Sequence, residues 1–229
     1  MVSHMKHFLH FLLTSSLIAI VGCSDGVISF PTPEPAQLRI VNTTLNVPQL
    51  RVTIDSSTSV DVARGAASPF TAVPAGRAVK FFFGSPTRNY RTDLRFTLGG
   101  SARVLLFVWG DSSSVIEYRR EIQDTVLPPG TPNAYVRFTH MGGSTGTGFY
   151  EVDVWVNGRT KLTNEYFDPG KSSAQFTQLT PGTYTFELRE SGTTTVLATL
   201  PNVELRAGTA YMLYSYDAAT PGNLQLDIF

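Results

Sequence analysis

The chain has 229 residues, 42% hydrophobic and 16% charged, and its 18 basic side chains balance 18 acidic ones. So low a charged fraction, with 14 Pro and 19 Gly, argues against a disordered chain and for turn-rich β structure. No window gathers the basic residues into a patch that could neutralise successive phosphates, which argues against nucleic acid as a partner.

The N-terminus carries the strongest signal. Lys6 supplies a positive start, and Phe8-Leu9-His10-Phe11-Leu12-Leu13 and Leu17-Ile18-Ala19-Ile20-Val21 form an apolar segment interrupted by His10 and Thr14-Ser15-Ser16. About fourteen residues at about 1.5 Å each reach only about 21 Å as a helix, short of a hydrocarbon core of about 30 Å. The segment therefore reads as a cleaved signal peptide over 1–22, not as a permanent span. Ile20-Val21-Gly22-Cys23 resembles the lipobox of bacterial lipoproteins, which implies cleavage before Cys23 and acylation of its sulfur. Cys23 is the only cysteine, so an exported chain has no disulfide partner for it, and acylation removes the odd thiol. Two or three acyl chains, at about 0.8 kcal/mol per buried methylene, give stable membrane anchoring. Met5 is an alternative start, and Ser24 after the cysteine resembles the outer-membrane default of many Gram-negative lipoproteins. The expected address is the bacterial cell envelope, with the outer membrane as destination.

From Cys23 to Ala36 the chain reads as a lipidated cysteine followed by a tether, with Pro31, Pro33 and Pro35 favouring extended backbone. A second cluster, Pro128-Pro129-Gly130-Thr131-Pro132, marks a linker over 128–132 between domains at 37–127 and 133–229. These two pieces repeat each other. Leu38-Arg39-Ile40-Val41-Asn42 matches Val136-Arg137-Phe138-Thr139-His140, and Leu50-Arg51-Val52-Thr53-Ile54-Asp55 matches Val152-Asp153-Val154-Trp155-Val156-Asn157. Phe70-Thr71-Ala72-Val73-Pro74-Ala75-Gly76 recurs as Phe176-Thr177-Gln178-Leu179-Thr180-Pro181-Gly182, and Gly100-Ser101-Ala102 recurs as Gly208-Thr209-Ala210. A period of about a hundred residues means duplicated domains.

Strand alternation dominates each copy: Tyr150, Val152, Val154 and Val156 alternate with Glu151, Asp153, Trp155 and Asn157, and Tyr184, Phe186 and Leu188 with Thr183, Thr185 and Glu187. About seven short strands per copy, without a long 3.6-period segment, predict an all-β chain of two tandem immunoglobulin-like or transthyretin-like β-sandwiches. The landmarks quoted above resemble the bacterial domain of unknown function 4397 over nearly all of 37–229. That resemblance implies export, frequent lipid anchoring and tandem β-sandwiches, and it brings no catalytic residues. The first copy departs from it with Asp55-Ser56-Ser57 where the second has Asn157-Gly158, which predicts a different turn.

Little chemistry is on offer. His4, His7 and His10 fall in the leader expected to be removed on export, and His140 stands where the first copy has Asn42, without a Gly-x-Ser-x-Gly elbow to make a triad. Gly170-Lys171-Ser172 lacks the first glycine of a phosphate loop, because position 165 is Glu165, so it reads as a turn. The Gly142 to Gly148 run reads as a hairpin loop that could touch a ligand. Glu151 and Asp153, about 6.8 Å apart along one face, read as a solvated pair rather than a hydrolase acid and base. No cofactor is expected.

Two aromatic groups are candidate contacts. Trp155, with Tyr150, is either a sugar-stacking or protein-contact platform or is packed beneath a loop or the other domain. Aligning 101–109 with 209–217 through their glycines sets Val104, Leu106 and Val108 against Met212, Tyr214 and Tyr216, and leaves Leu105, Phe107 and Trp109 on a second apolar face. Phe82 is also turned outward. Such a face needs a cover, which predicts Phe107 or Trp109 at an interdomain or partner contact. The reading is a non-catalytic, lipid-anchored envelope module that binds a protein or packs structurally. A glycan-binding module is the alternative, and a carboxylate-dependent hydrolase the second.

Overall fold

Among the described residues, alternating Val, Ile, Phe and Thr between Gly, Pro and Asn turns form strands. The computed structural model describes residues 32–85, 88–110, 117–122, 130–142, 151–166, 175–220 and 223–229. The leader, Cys23, most of the tether, Pro128, Pro129, Tyr150, the glycines from Gly143 to Gly148 and the Gly170-Lys171-Ser172 run lie outside the described residues.

The first copy comprises β1 (Ala36–Asn42), β2 (Gln49–Ile54), β3 (Thr58–Ala63), β4 (Thr71–Val73), β5 (Ala78–Ser85), β6 (Arg88–Thr97), β7 (Arg103–Trp109) and β8 (Glu117–Ile122). The second comprises β9 (Ala134–His140), β10 (Glu151–Val156), β11 (Thr160–Tyr166), β12 (Thr177–Leu179), β13 (Gly182–Glu190), β14 (Val196–Leu205), β15 (Ala210–Asp217) and β16 (Leu224–Ile228). Each copy is a sandwich of two four-stranded sheets, ordered β4-β1-β7-β8 over β3-β2-β5-β6 and β12-β9-β15-β16 over β11-β10-β13-β14. The opening strand runs parallel to the seventh in each, β1 with β7 and β9 with β15, and the other ladders are antiparallel. Two sheets of four strands depart from the seven-strand, four-against-three immunoglobulin order, which leaves the transthyretin-like alternative.

Each sandwich has its own core. Leu38, Ile40, Leu50, Val52, Phe81, Phe83, Val104 and Leu106 fill the first, and Val136, Phe138, Val152, Val154, Phe186, Leu188 and Leu213 the second. At about 1.5–3 kcal/mol per fully buried large apolar side chain, these inward faces are the main term holding each copy together.

Two sequence expectations are corrected by geometry. The turn after β2 does not differ between copies. Asp55 and Ser56 have φ of 49° and 60°, against 52° and 64° for Asn157 and Gly158, the paired positive angles of a type I′ hairpin turn. The Asp55 carboxylate accepts from the Lys80 amide at 2.9 Å, as Asn157 Oδ1 does from the Thr185 amide. One short acceptor thus closes both turns.

The second correction concerns register. Ile40 pairs with Leu106 across β1 and β7, while Phe138, its counterpart, pairs with Leu213 across β9 and β15. Leu105, Phe107 and Trp109 therefore correspond to Met212, Tyr214 and Tyr216, one residue away from the glycine-based alignment. The left-handed position before β7 is held by Ser101 (φ 57°), not by Gly100, and its counterpart is Gly208 (φ 67°). A slip of one residue exchanges the faces of a strand.

Candidate functional site

With the register set, both copies turn an apolar face outward from equivalent strands, and these faces meet. Val41, Leu105 and Phe107 of the first sandwich and Met141, Met212, Tyr214 and Tyr216 of the second form one buried cluster, with Trp109, Phe70 and Phe229 half-buried at its edge. The Phe107 and Tyr214 rings, on equivalent positions, meet edge-on at 5.7 Å between centroids. Polar contacts complete the seam. Tyr214 donates its hydroxyl to the Gly65 carbonyl at 2.7 Å, Arg64 donates to the Asp217 carbonyl, and the Arg39 guanidinium lies 4.3 Å from the Phe70 ring centre and 5.1 Å from that of Phe229. A Cβ on Gly65 would strike the Tyr216 hydroxyl. Residues 32–229 form a single compact unit.

Phe107 and Trp109, expected at an interdomain or partner contact, lie in this inter-sandwich seam, and the other described candidate residues lie apart from it. Phe107 is wholly buried in the seam, out of reach of an external ligand. Trp155 lies half-buried on the outer face of β10, and the Arg189 guanidinium caps its ring at 4.5 Å from the centre. One face of the indole is thus occupied by a cation. Asp153, expected in solvent, is 2% exposed: Lys161 pairs with it at 2.6 Å and the Gly192 amide donates to it at 3.2 Å. Glu151 remains exposed, so the two carboxylates occupy unlike environments without facing each other across a cleft. Phe82, as expected, lies on the outer face, half-buried with the Lys80 ammonium 4.5 Å from its ring centre.

His140 and Ser215 are both buried, with Nδ1 and Oγ 2.6 Å apart. The pair sits where Asn42 of the first copy donates to the Val47 and Val62 carbonyls at 3.1 and 3.0 Å and accepts from the Thr44 hydroxyl at 2.6 Å. Both residues are sealed polar fastenings at the end of a core. Among the described residues no group of three or more His, Cys, Asp or Glu side chains converges as a metal site would.

An open cleft lies elsewhere, at the end of the second sandwich where the β10–β11 turn approaches β12 and the start of β13. It encloses about 460 Å³ and is lined by Val156, Asn157, Arg159, Thr160, Leu179 and Tyr184, a volume within the usual range of ligand sites. Val156 and Leu179 supply apolar floor. Tyr184 is held by its hydroxyl, which donates to the Thr180 carbonyl at 2.7 Å and lies 2.9 Å from the Thr180 hydroxyl, so the ring borders the cleft in a fixed pose. Asn157, Arg159 and Thr160 form an exposed rim. The Asn157 Oδ1 is engaged by the Thr185 amide, and its Nδ2 donor has no hydrogen-bond partner among the described residues. No carboxylate among the described residues pairs with Arg159, and the nearby Glu187 is taken by Arg189 at 2.9 Å. Sequence reasoning missed this cluster. Its signal was the exchange of Asp55 and Val79 in the first copy for Asn157 and Tyr184 in the second.

Fold and site together define a tandem transthyretin-like sandwich protein, its copies fused face to face and an open cleft at one end. No family model matches the chain, and no curated protein matches it, so the resemblance to the domain of unknown function 4397 rests on the sequence landmarks alone. Among solved structures, the chain is similar to a DUF1812 protein of Bacteroides thetaiotaomicron that is provisionally described as polysaccharide-binding. The identity is 9%, the TM-score is 0.27, and the match covers 84% of this chain and 95% of that one.

Proposed function

We propose that this chain is a lipid-anchored, non-catalytic binding protein of the bacterial cell envelope whose ligand enters the open end of the second sandwich. The observation that carries the reading is the cleft at Tyr184. It combines apolar floor, a fixed aromatic and unspent donors, which is the make-up of a small-ligand site. The residues with catalytic potential are committed elsewhere: His140 and Ser215 to each other inside a core, and Asp153 to Lys161. Anchoring is supported by Ile20-Val21-Gly22-Cys23 and the lone cysteine.

A thermal-shift and ligand-observed NMR screen of the exported chain against oligosaccharides and short peptides tests the cleft. At least one compound should bind to the wild type and lose its signal in Tyr184→Ala. A screen in which no binder responds to Tyr184→Ala, with that variant folded by circular dichroism, would remove the cleft from the proposal.

A further inference from the structure

We infer that the cleft takes an acidic saccharide, a sugar unit carrying a carboxylate; this rests on the cleft being the ligand site. The electrostatic part comes from the lining. Among the described lining residues the one that is charged is Arg159, and the adjacent Glu187 is neutralised by Arg189. Asn157 Nδ2, the Thr160 hydroxyl and the Arg159 guanidinium offer donors along one rim, which suits a ligand rich in acceptors and bearing negative charge. The guanidinium fork can meet a carboxylate with two parallel bonds.

The shape part comes from the floor and wall. Val156, Leu179 and the fixed ring of Tyr184 offer a short apolar surface beside those donors, matching a pyranose with a C–H face and a polar edge. An extended peptide would add along a free sheet edge, β11 or β12, through a ladder of unpaired backbone groups, and not at this turn. The turn here has spent its own: the Asn157 amide donates to the Thr185 carbonyl at 2.8 Å, and the Arg159 amide to Val156 at 3.1 Å.

The first copy is an internal contrast. At the same turn it carries Asp55 for Asn157 and Ser57 for Arg159, and Val79, wholly buried, for Tyr184. Arg77 there is already paired with Asp55 at 2.5 Å. At that turn Arg77 is spent on Asp55, and Val79 supplies no counterpart of the Tyr184 ring, so one binding site per chain is expected.

The test compares trigalacturonate with its methyl ester, which keeps the backbone and removes the charge. Calorimetry on the exported chain should give one site and an affinity for the acid about tenfold above that for the ester, weakening as salt rises. Arg159→Ala should abolish the preference. Asn157→Asp should reduce acid binding about tenfold or more by repulsion, and it should fold, because Asp55 already closes the same turn. Equal binding of acid and ester, lost in Tyr184→Ala, would overturn the acidic ligand and leave the cleft standing. Tighter binding of the peptide Ala-Glu-Ala-Glu would overturn the saccharide. No binding of any of the three would overturn the inference, and the screen above then decides separately whether the cleft is a site.

Discussion

Ser56 and Ser101 occupy left-handed backbone at φ of 60° and 57°, where a Cβ crowds the following carbonyl. The second copy has Gly158 and Gly208 at the equivalent places. Replacing either serine by glycine relieves that strain at the expense of some backbone entropy, and each of Ser56→Gly and Ser101→Gly should raise stability by about 0.5–1 kcal/mol in urea melts. Gly100, by contrast, is kept small by neighbours: a Cβ there would lie 3.3 Å from the Glu34 carbonyl of the incoming tether. The same scale governs the seam. Burial, and then the charge of Asp227, raise the Tyr214 hydroxyl far above its ordinary 10.0, and the same two causes raise Tyr216 against the opposing pull of Arg64. The folded state therefore holds phenol protons that the unfolded chain releases near pH 10. Their stabilising contribution is complete below that pH and falls as pH rises above it, by about 1.4 kcal/mol per pH unit for each fully shifted phenol. Tyr214→Phe should cost about 1 kcal/mol at neutral pH through the lost bond to Gly65. It should also flatten the alkaline limb in unfolding curves from pH 8 to 12; an unchanged limb would show that Tyr214 ionises freely.

Elements were legible in the sequence wherever burial was one-sided. The inward positions of β10 and β13 follow the period-two alternation directly, although the outer face of β10 is itself half covered, with Asp153 buried beside Lys161. Strand order was not legible, because pairing partners leave no local trace. The β7–β15 register was hidden for a specific reason: both faces of β7 are apolar, so hydrophobicity cannot say which is inward, and the glycine used as a landmark is not the left-handed residue. The cleft was hidden because Tyr184 reads as an ordinary inward position. Like faces meeting at the seam has a consequence for an excised second copy. Residues 133–229 keep their own core but bare Met212, Tyr214 and Tyr216, so the fragment should self-associate through them. Sedimentation should find a dimer that Tyr214→Lys converts to monomer, whereas a stable wild-type monomer would argue that the seam adds little.

For the whole molecule, the inter-sandwich seam makes one body of the two copies, and the Pro-rich lead-in ends in Pro33 and Glu34 resting on Gly76 and Gly100 of the first. The proposed lipid anchor thus precedes the first copy in the chain, and the cleft lies in the second. Cys23→Ser should release the protein from the membrane fraction and abolish acyl-chain labelling without shifting its melting temperature, since the cysteine precedes both cores. A wild-type protein that is soluble and unlabelled after export would refute anchoring.

At the face-to-face seam the equivalent positions Phe107 and Tyr214 meet each other, as residues near the axis of a two-fold dimer do. A dimer of identical chains must carry every substitution twice. Joined in one polypeptide, the two halves meet at an effective concentration set by the linker, in the millimolar range for short flexible joins, and each is free to differ. Asp55 with Arg77 on one side and Asn157 with Arg159 on the other are such a divergence: broken symmetry lets one half close its turn with an ion pair while the other keeps a cation at the rim of its cleft.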